Sequence, residues 1–261
     1  MAIRQCRATL TMFSMLLLAM TANARDDAAD LPTRDLRAGD DVHRHYILHG
    51  PQKGKAPPEK GYGLLLVLPG GDGSISFSPF VQAIYANGIP EGYLVAQLVS
   101  HPWTPTQKVV WPTKKNNVPQ SQFTTEDFVD SVIDDVAKRE KIDGDRVFTL
   151  SWSSSGPACH AVALSNDKVK GSFIAMSVFH PRTLPPLTNS KGHAYYLFHS
   201  PQDRVCPHRF AEQASRELKT AGAKVQLTNY EGGHGWHGDI FGEIHAGIEW
   251  LEQNVSGNPT P

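Results

Sequence analysis

The 261-residue sequence has few cysteines, no block of like charge and no internal repeat. The formal net charge is −1 and no Lys/Arg cluster stands out, which argues against a nucleic-acid partner. Of the three cysteines, Cys6 lies near the start, and the spacing of Cys159 and Cys206 does not show whether they pair. Without repeats or low-complexity segments, the chain suits one domain with a sizeable core.

Long apolar runs are also scarce, and the longest stands at the N-terminus. Arg4 and Arg7 precede an apolar stretch that ends near Leu18, and small residues follow at Ala22 to Ala24. This pattern is typical of a signal peptide spanning 1–24, and the stretch is short for a bilayer span. We expect cleavage near Ala24, a secreted or periplasmic protein, and no stable membrane insertion afterwards. An uncleaved anchor is the alternative.

The remainder, 25–261, reads as a single domain with an irregular segment at 25–44 and a catalytic core at about 45–252. A strand is expected at Tyr46 to Leu48. Short continuous apolar runs, typical of strands buried on both faces, then recur along the chain: 64–68, 93–100, 146–151, 172–179, 194–200 and 224–230.

Helical periodicity lies between these runs, at 124–141, 207–222 and 239–253. Thr124 or Thr125 can cap the first of these helices, and Pro207 and Gly222 mark the ends of the second. Strands that alternate with helices predict an α/β fold with a mainly parallel central sheet and helices on both faces. Active sites in such sheets lie at the carboxyl ends of the strands.

Four serines cluster in "LSWSSSGPA", directly after a predicted strand. A nucleophile on a tight strand-to-helix turn needs small residues two positions before and two positions after it. Ser154 fails this test because of Trp152, and Ser155 fails because of Pro157. Ser153, which is flanked by Ser151 and Ser155, is therefore the candidate nucleophile.

A serine nucleophile needs a base and an acid that orients the base. His234, in "YEGGHGWHG", follows the last predicted strand, and Asp203, in "HSPQDR", follows the preceding one. The oxyanion needs two backbone N–H donors. We expect these from Ser154 and from Gly71 in "LPGGDG", with Asp72 as the alternative to Gly71.

Two other carboxylates compete with Asp203 for the role of the acid. Glu231 lies only three residues before His234, and Asp239 opens the last helix, where it is better placed to cap backbone N–H groups. In a different interpretation, His234 and His237 share a metal ion with Glu231 or Asp239. We expect no metal and no organic cofactor.

Several further side chains are candidates for a substrate pocket: Asp72, Trp103, Trp111, Trp152 and His237. Trp103 and Trp111 belong to the long irregular connection 101–123, where they either line a pocket or fasten the loop. Most other histidines are expected on the surface or on helix faces: those in 43–49, His160, His180, His193 and His245. His101 and His199 lie near strand ends.

The segments "LLLVLPGGDG", "SWSSSGPA", "HSPQDRVCP" and "YEGGHGWHG" together resemble the phospholipase/carboxylesterase branch of the α/β-hydrolases, close to dienelactone-hydrolase-like esterases. The resemblance covers roughly residues 45 to 252. It implies a serine hydrolase acting on carboxylic esters. The branch usually carries histidine at Pro69 and glycine at Ser151 and Ser155, and these departures bear on the substrate class.

The short, Pro-rich connection 180–193 argues against a large cap domain, which suits small-molecule or polymer-attached esters. Two alternatives have different functions. One is a serine peptidase of the same fold, whose usual large accessory domain is absent here. The other is a non-catalytic binding protein, which would typically have lost a member of the Ser-Asp-His set.

Overall fold

The computed structural model describes residues 31–51, 54 and 56–255, and the predicted signal peptide lies outside them. Eight strands form one sheet in the order β1-β2-β4-β3-β5-β6-β7-β8. The strands are β1 (Thr33–Arg37), β2 (His45–His49), β3 (Tyr62–Leu68), β4 (Tyr93–Leu98), β5 (Ile142–Trp152), β6 (Gly171–Ala175), β7 (Ala194–His199) and β8 (Lys224–Asn229). β2 runs antiparallel to both of its neighbours, β1 and β4. All the other neighbouring pairs, from β4-β3 to β7-β8, are parallel.

Within the part of the chain that the structure describes, five α-helices cover the two faces of this sheet. They are α1 (Ser78–Asn87), α2 (Thr125–Arg139), α3 (Gly156–Ala163), α4 (Arg209–Thr220) and α5 (Ile240–Asn254). On β3, Leu64 and Leu66 pack with α2 and α3, whereas Leu65 and Val67 pack with α1 and α5. This alternation follows from the two-residue period of a strand. The predicted α/β architecture with helices on both faces is confirmed.

The start of the sheet differs from the sequence prediction. The described part of the segment predicted to be irregular, 25–44, contains β1, which pairs with β2 from Thr33 opposite His49 to Arg37 opposite His45. β1 is an edge strand, and Leu36 is its only apolar residue. Charged residues are common on edge strands because they discourage pairing with other chains, and here they hide the strand pattern.

Helix ends follow local chemistry. Thr124 caps α2: its hydroxyl accepts from the Asp127 N–H, and the Asp127 carboxylate accepts from the Thr124 N–H, which forms a capping box.

Within the described residues, the connection between β6 and β7 holds only two short 3-10 helices, Pro181–Thr183 and Leu187–Ser190. It forms no large cap, so the carboxyl ends of the strands stay accessible.

Candidate active site

Ser153 lies on a sharp turn between β5 and α3. Its backbone φ is +55°, in the left-handed region that residues with a side chain rarely adopt. Such strain persists only where the surroundings hold it, and it concentrates at functional sites. Gly156, three residues on, packs so closely that a Cβ would come within 2.0 Å of the Ser177 Oγ. That hydroxyl donates to the Ser153 carbonyl at 2.6 Å and supports the turn.

The two serines that stand where the resembling branch has glycine are both buried. The Ser155 hydroxyl lies 2.6 Å from the Leu68 carbonyl oxygen and accepts from the Trp152 N–H at 3.1 Å. It therefore bridges β3 and the turn. Ser151 is still part of β5, paired between β3 and β6. A hydroxymethyl group is thus accommodated at both positions.

Ser153, His234 and Asp203 form one hydrogen-bonded line. The Ser153 Oγ lies 3.0 Å from the His234 Nε2, and the His234 Nδ1 lies 2.8 Å from the Asp203 Oδ2. A carboxylate only accepts, so the Nδ1 carries the proton and the Nε2 is free to accept one from the serine. These distances lie within the reach that a nucleophile and a base require.

The glycine-rich loop after β3 lies against the serine turn. Gly71 has a φ of +61°, and a Cβ on Gly70 would come within 2.5 Å of Trp152, so only glycine fits this close approach. The Ser154 hydroxyl donates to the Gly71 carbonyl at 2.8 Å and ties the two loops together. Asp72 is exposed, and its Oδ1 accepts from the Ser74 N–H.

A cavity of about 180 Å³ adjoins Ser154. Its lining is Lys108, Val109, Val110, Trp111, Thr113, Asn116, Pro157, Ala158 and Thr183, together with Ser154. Trp111 is held in place, since its indole N–H donates to the Pro69 carbonyl at 3.0 Å. Trp103 does not line this cavity: its ring packs against His101 and Phe123 and fastens the loop to the core.

The other two predicted pocket residues, Trp152 and His237, do not line this cavity. The buried Trp152 packs edge-on against Phe77 and Phe80, and Trp236 contacts it too. The His237 ring stacks on Tyr230, with centroids 6.0 Å apart.

The competing carboxylates lie apart from the imidazole. Asp239 caps α5, accepting from the Gly242 N–H at 3.0 Å, and Glu231 is exposed. The structure does not bring the predicted metal ligands together as one group. Among the described residues, those whose donor atoms lie close enough to share a metal ion, within 4.8 Å of one another, are Asp203, Cys206 and His234. Burial and the nearby Asp203 charge raise the pKa of Cys206 to about 11, so its thiol is protonated at neutral pH in this environment. Cys206 and Cys159 are both buried and free.

Several histidines lie where the sequence did not predict them. His49, His160 and His193 are buried, so a surface position is wrong for all three, although His160 does lie on a helix. His160 packs between Phe179 and Tyr195, because α3 is covered on all sides. His199, at the end of β7, is also buried, and its Nε2 lies 3.3 Å from the Asp203 Oδ2. In the sequence, one feature of His199 indicated a place near the site: it stands directly at the end of a predicted strand, four residues before Asp203.

The described residues include no helix long and apolar enough to cross a membrane. No family model and no curated protein matches the chain.

Solved structures do match the chain, at low identity. The esterase rPPE, in variant form, aligns at a TM-score of 0.63 and 11% identity over 88% of this chain and 84% of its own. The Bacillus cereus carboxylesterase aligns at 0.57 and 14%, over 87% of this chain and 96% of its own. The Pyrococcus horikoshii acylaminoacyl peptidase aligns at 0.63 and 14%, over 88% of this chain but only 43% of its own. The sheet order, the helix layers and these similarities together show that the chain has the α/β-hydrolase fold.

Proposed function

We propose that the protein is a serine hydrolase that cleaves carboxylic esters through a Ser153-His234-Asp203 triad and an acyl-enzyme. One observation carries the proposal: the hydrogen-bonded line from the Ser153 Oγ through His234 to Asp203, which starts on a strained turn. Each residue follows a different strand of the sheet, which is how this fold assembles a site at the strand ends.

The geometry supports a complete acyl-transfer cycle. Ser153 attacks the ester carbonyl while the His234 Nε2 takes the proton of the serine hydroxyl. The N–H groups of Ser154 and Gly71 stabilise the negative charge that develops on the carbonyl oxygen. His234 then protonates the leaving alcohol. Water enters, loses a proton to His234 and releases the acid, which regenerates Ser153. Asp203 holds the imidazole and stabilises its charged form, and no step needs a metal or an organic cofactor.

The cavity beside Ser154 supports a small acyl group. Its lining includes the apolar residues Val109, Val110, Trp111, Pro157 and Ala158. Its volume of about 180 Å³ is below the roughly 300 Å³ at which pockets for drug-sized ligands begin. The rest of a substrate would extend outward, so both small-molecule and polymer-attached esters suit the site.

Amide hydrolysis is the second candidate, because one of the similar structures is named an acylaminoacyl peptidase. Matched nitrophenyl esters and nitroanilides of one acyl group separate the two. We expect release of nitrophenol from the esters and no measurable release of nitroaniline from the anilides. Turnover of the anilides would favour the peptidase, and no turnover of either, with no labelling of Ser153 by a fluorophosphonate, would favour a binding protein.

We also propose that the protein is exported and acts outside the cytoplasm. Support comes from the sequence of residues 1–24 alone, with its early arginines, apolar run and small residues before Arg25. N-terminal sequencing of the protein recovered from outside the cytoplasm should begin near Arg25. A start at Met1 or Ala2 would contradict export by this route.

A further inference from the structure

The Asp203 carboxylate is buried, and an isolated buried charge would be very costly. Its surroundings supply three hydrogen bonds to the two oxygens. The Oδ1 accepts from the N–H groups of Val205 and Cys206, each at 2.8 Å. The Oδ2 accepts from the His234 Nδ1 at 2.8 Å. A second histidine, His199, lies beside the same oxygen, with its Nε2 3.3 Å from the Oδ2.

His199 is held in one protonation state. Its ring is buried, and burial, the largest influence, lowers the pKa of His199, so it is neutral with a single N–H. The Nε2 lies 2.7 Å from the Cys206 carbonyl oxygen and 3.3 Å from the Asp203 Oδ2. Both neighbours only accept, so the proton must be on the Nε2.

These contacts connect the end of β7 to the acid in two ways. The Nε2–H of His199 holds the Cys206 carbonyl, while the Cys206 amide donates to the Asp203 Oδ1. The same nitrogen lies 3.3 Å from the oxygen that His234 uses. His199 therefore holds the 203–206 turn in place and, through the Cys206 amide, the position of the carboxylate.

We propose that His199 is a positioning residue for Asp203: its Nε2–H holds the Cys206 carbonyl, and the Cys206 amide in turn holds the carboxylate in the orientation that accepts from the His234 Nδ1–H. This inference rests on the function proposed above. It predicts that the loss of one N–H at position 199 slows the chemical steps and leaves substrate binding unchanged, because His199 is buried behind Asp203.

The test compares three variants of the full mature chain. His199→Phe keeps a ring but removes the N–H, and His199→Gln keeps an N–H donor. His160→Phe makes the same ring exchange at another buried histidine, on α3 and packed against Phe179 and Tyr195. The readouts are kcat and KM on a nitrophenyl ester, the thermal midpoint, and the low-field proton resonance of the His234 Nδ1–H.

We expect His199→Phe to lower kcat by about 10- to 100-fold with KM within about twofold, as is usual when a supporting hydrogen bond is lost. The low-field resonance should shift or broaden, and His199→Gln should recover part of kcat. His160→Phe should keep kcat. If His199→Phe does not fold, the Gln variant and its resonance carry the same test.

Three results would overturn the proposal: an unchanged kcat in folded His199→Phe, an unchanged resonance, or an equal loss of kcat in His160→Phe, which would indicate general destabilisation. Failure of the proposed function gives a different result, since the unmodified protein would then neither hydrolyse esters nor react with a fluorophosphonate.

Discussion

At the scale of single residues, the proposed activity depends on the hydroxyl of Ser153 and not on those of the neighbouring serines. Ser153→Ala removes one hydroxyl, and the residual rate would come from binding and the oxyanion hole alone. We expect kcat to fall by about 10³-fold or more with no loss of fold. Ser154→Ala keeps its backbone N–H and loses only the hydrogen bond to the Gly71 carbonyl, so its loss of kcat should be far smaller. A comparable loss in both would contradict the choice of nucleophile.

The acid is tested with a matched pair of aspartates. Asp203→Asn removes the charge and can hold the imidazole in the wrong tautomer, so kcat should fall strongly, by about 10⁴-fold in the best-studied triads. Asp239→Asn alters a residue that caps α5, and Asn is also a good cap, so kcat should change little. Steady-state kinetics on both, with Glu231→Gln alongside, decides the third member of the triad. A larger loss in Glu231→Gln than in Asp203→Asn would transfer the role to Glu231.

At the scale of elements, the close packing of α3 against the segment after β6 is expected to hold the serine turn. Gly156→Ala places a methyl group in the space of the Ser177 side chain, which supports the Ser153 carbonyl. Overpacking of this kind typically costs about 1–3 kcal/mol. We expect a lower free energy of unfolding in urea and a lower kcat.

The double variant Gly156→Ala/Ser177→Gly removes the clash and should recover much of the stability. Additive losses in the two single variants and the double variant would show that the two positions do not interact.

The elements also show how far sequence reasoning reaches. β3 to β7 were predictable because strands buried on both faces are continuous apolar runs. β8 was also predicted, at 224–230, although it is an edge strand with several exposed residues. α1 and α3 were not, since α1 buries only Val81 and Ile84, and α3 is buried nearly all round, so neither has a clear amphipathic period. Ser153, Asp203 and His234 could be chosen from the sequence, because each of them follows its own predicted strand. The role proposed for His199 could not, because it depends on how the 203–206 turn folds back over the end of β7.

At the scale of the whole molecule, buried histidines make stability depend on pH. Burial lowers the pKa of His160 and of His193 to about 3, and that of His49 to about 4, from an ordinary value of 6.5. Below pH 6.5 the unfolded chain therefore binds protons that the folded chain does not. The free energy of unfolding should be highest above pH 6.5 and fall as the pH drops toward 4 and then 3.

The size of this effect can be measured by urea unfolding. Between pH 7.5 and pH 5, each such histidine should cost about 2 kcal/mol. His160→Phe removes one titrating group, so its stability should fall less steeply with pH than that of the unmodified protein. An equal slope in both would mean that folding does not lower the pKa of His160.

The most direct test of the central claim is covalent labelling by a fluorophosphonate, read by intact mass and peptide mapping. Only an activated serine reacts quickly with this reagent. We expect one added phosphonyl group per chain, located on Ser153. The Ser153→Ala variant should gain none, and the Ser151→Ala control should be labelled as the unmodified protein is. Labelling on Ser154 or Ser155, or none on a folded protein, would contradict the triad.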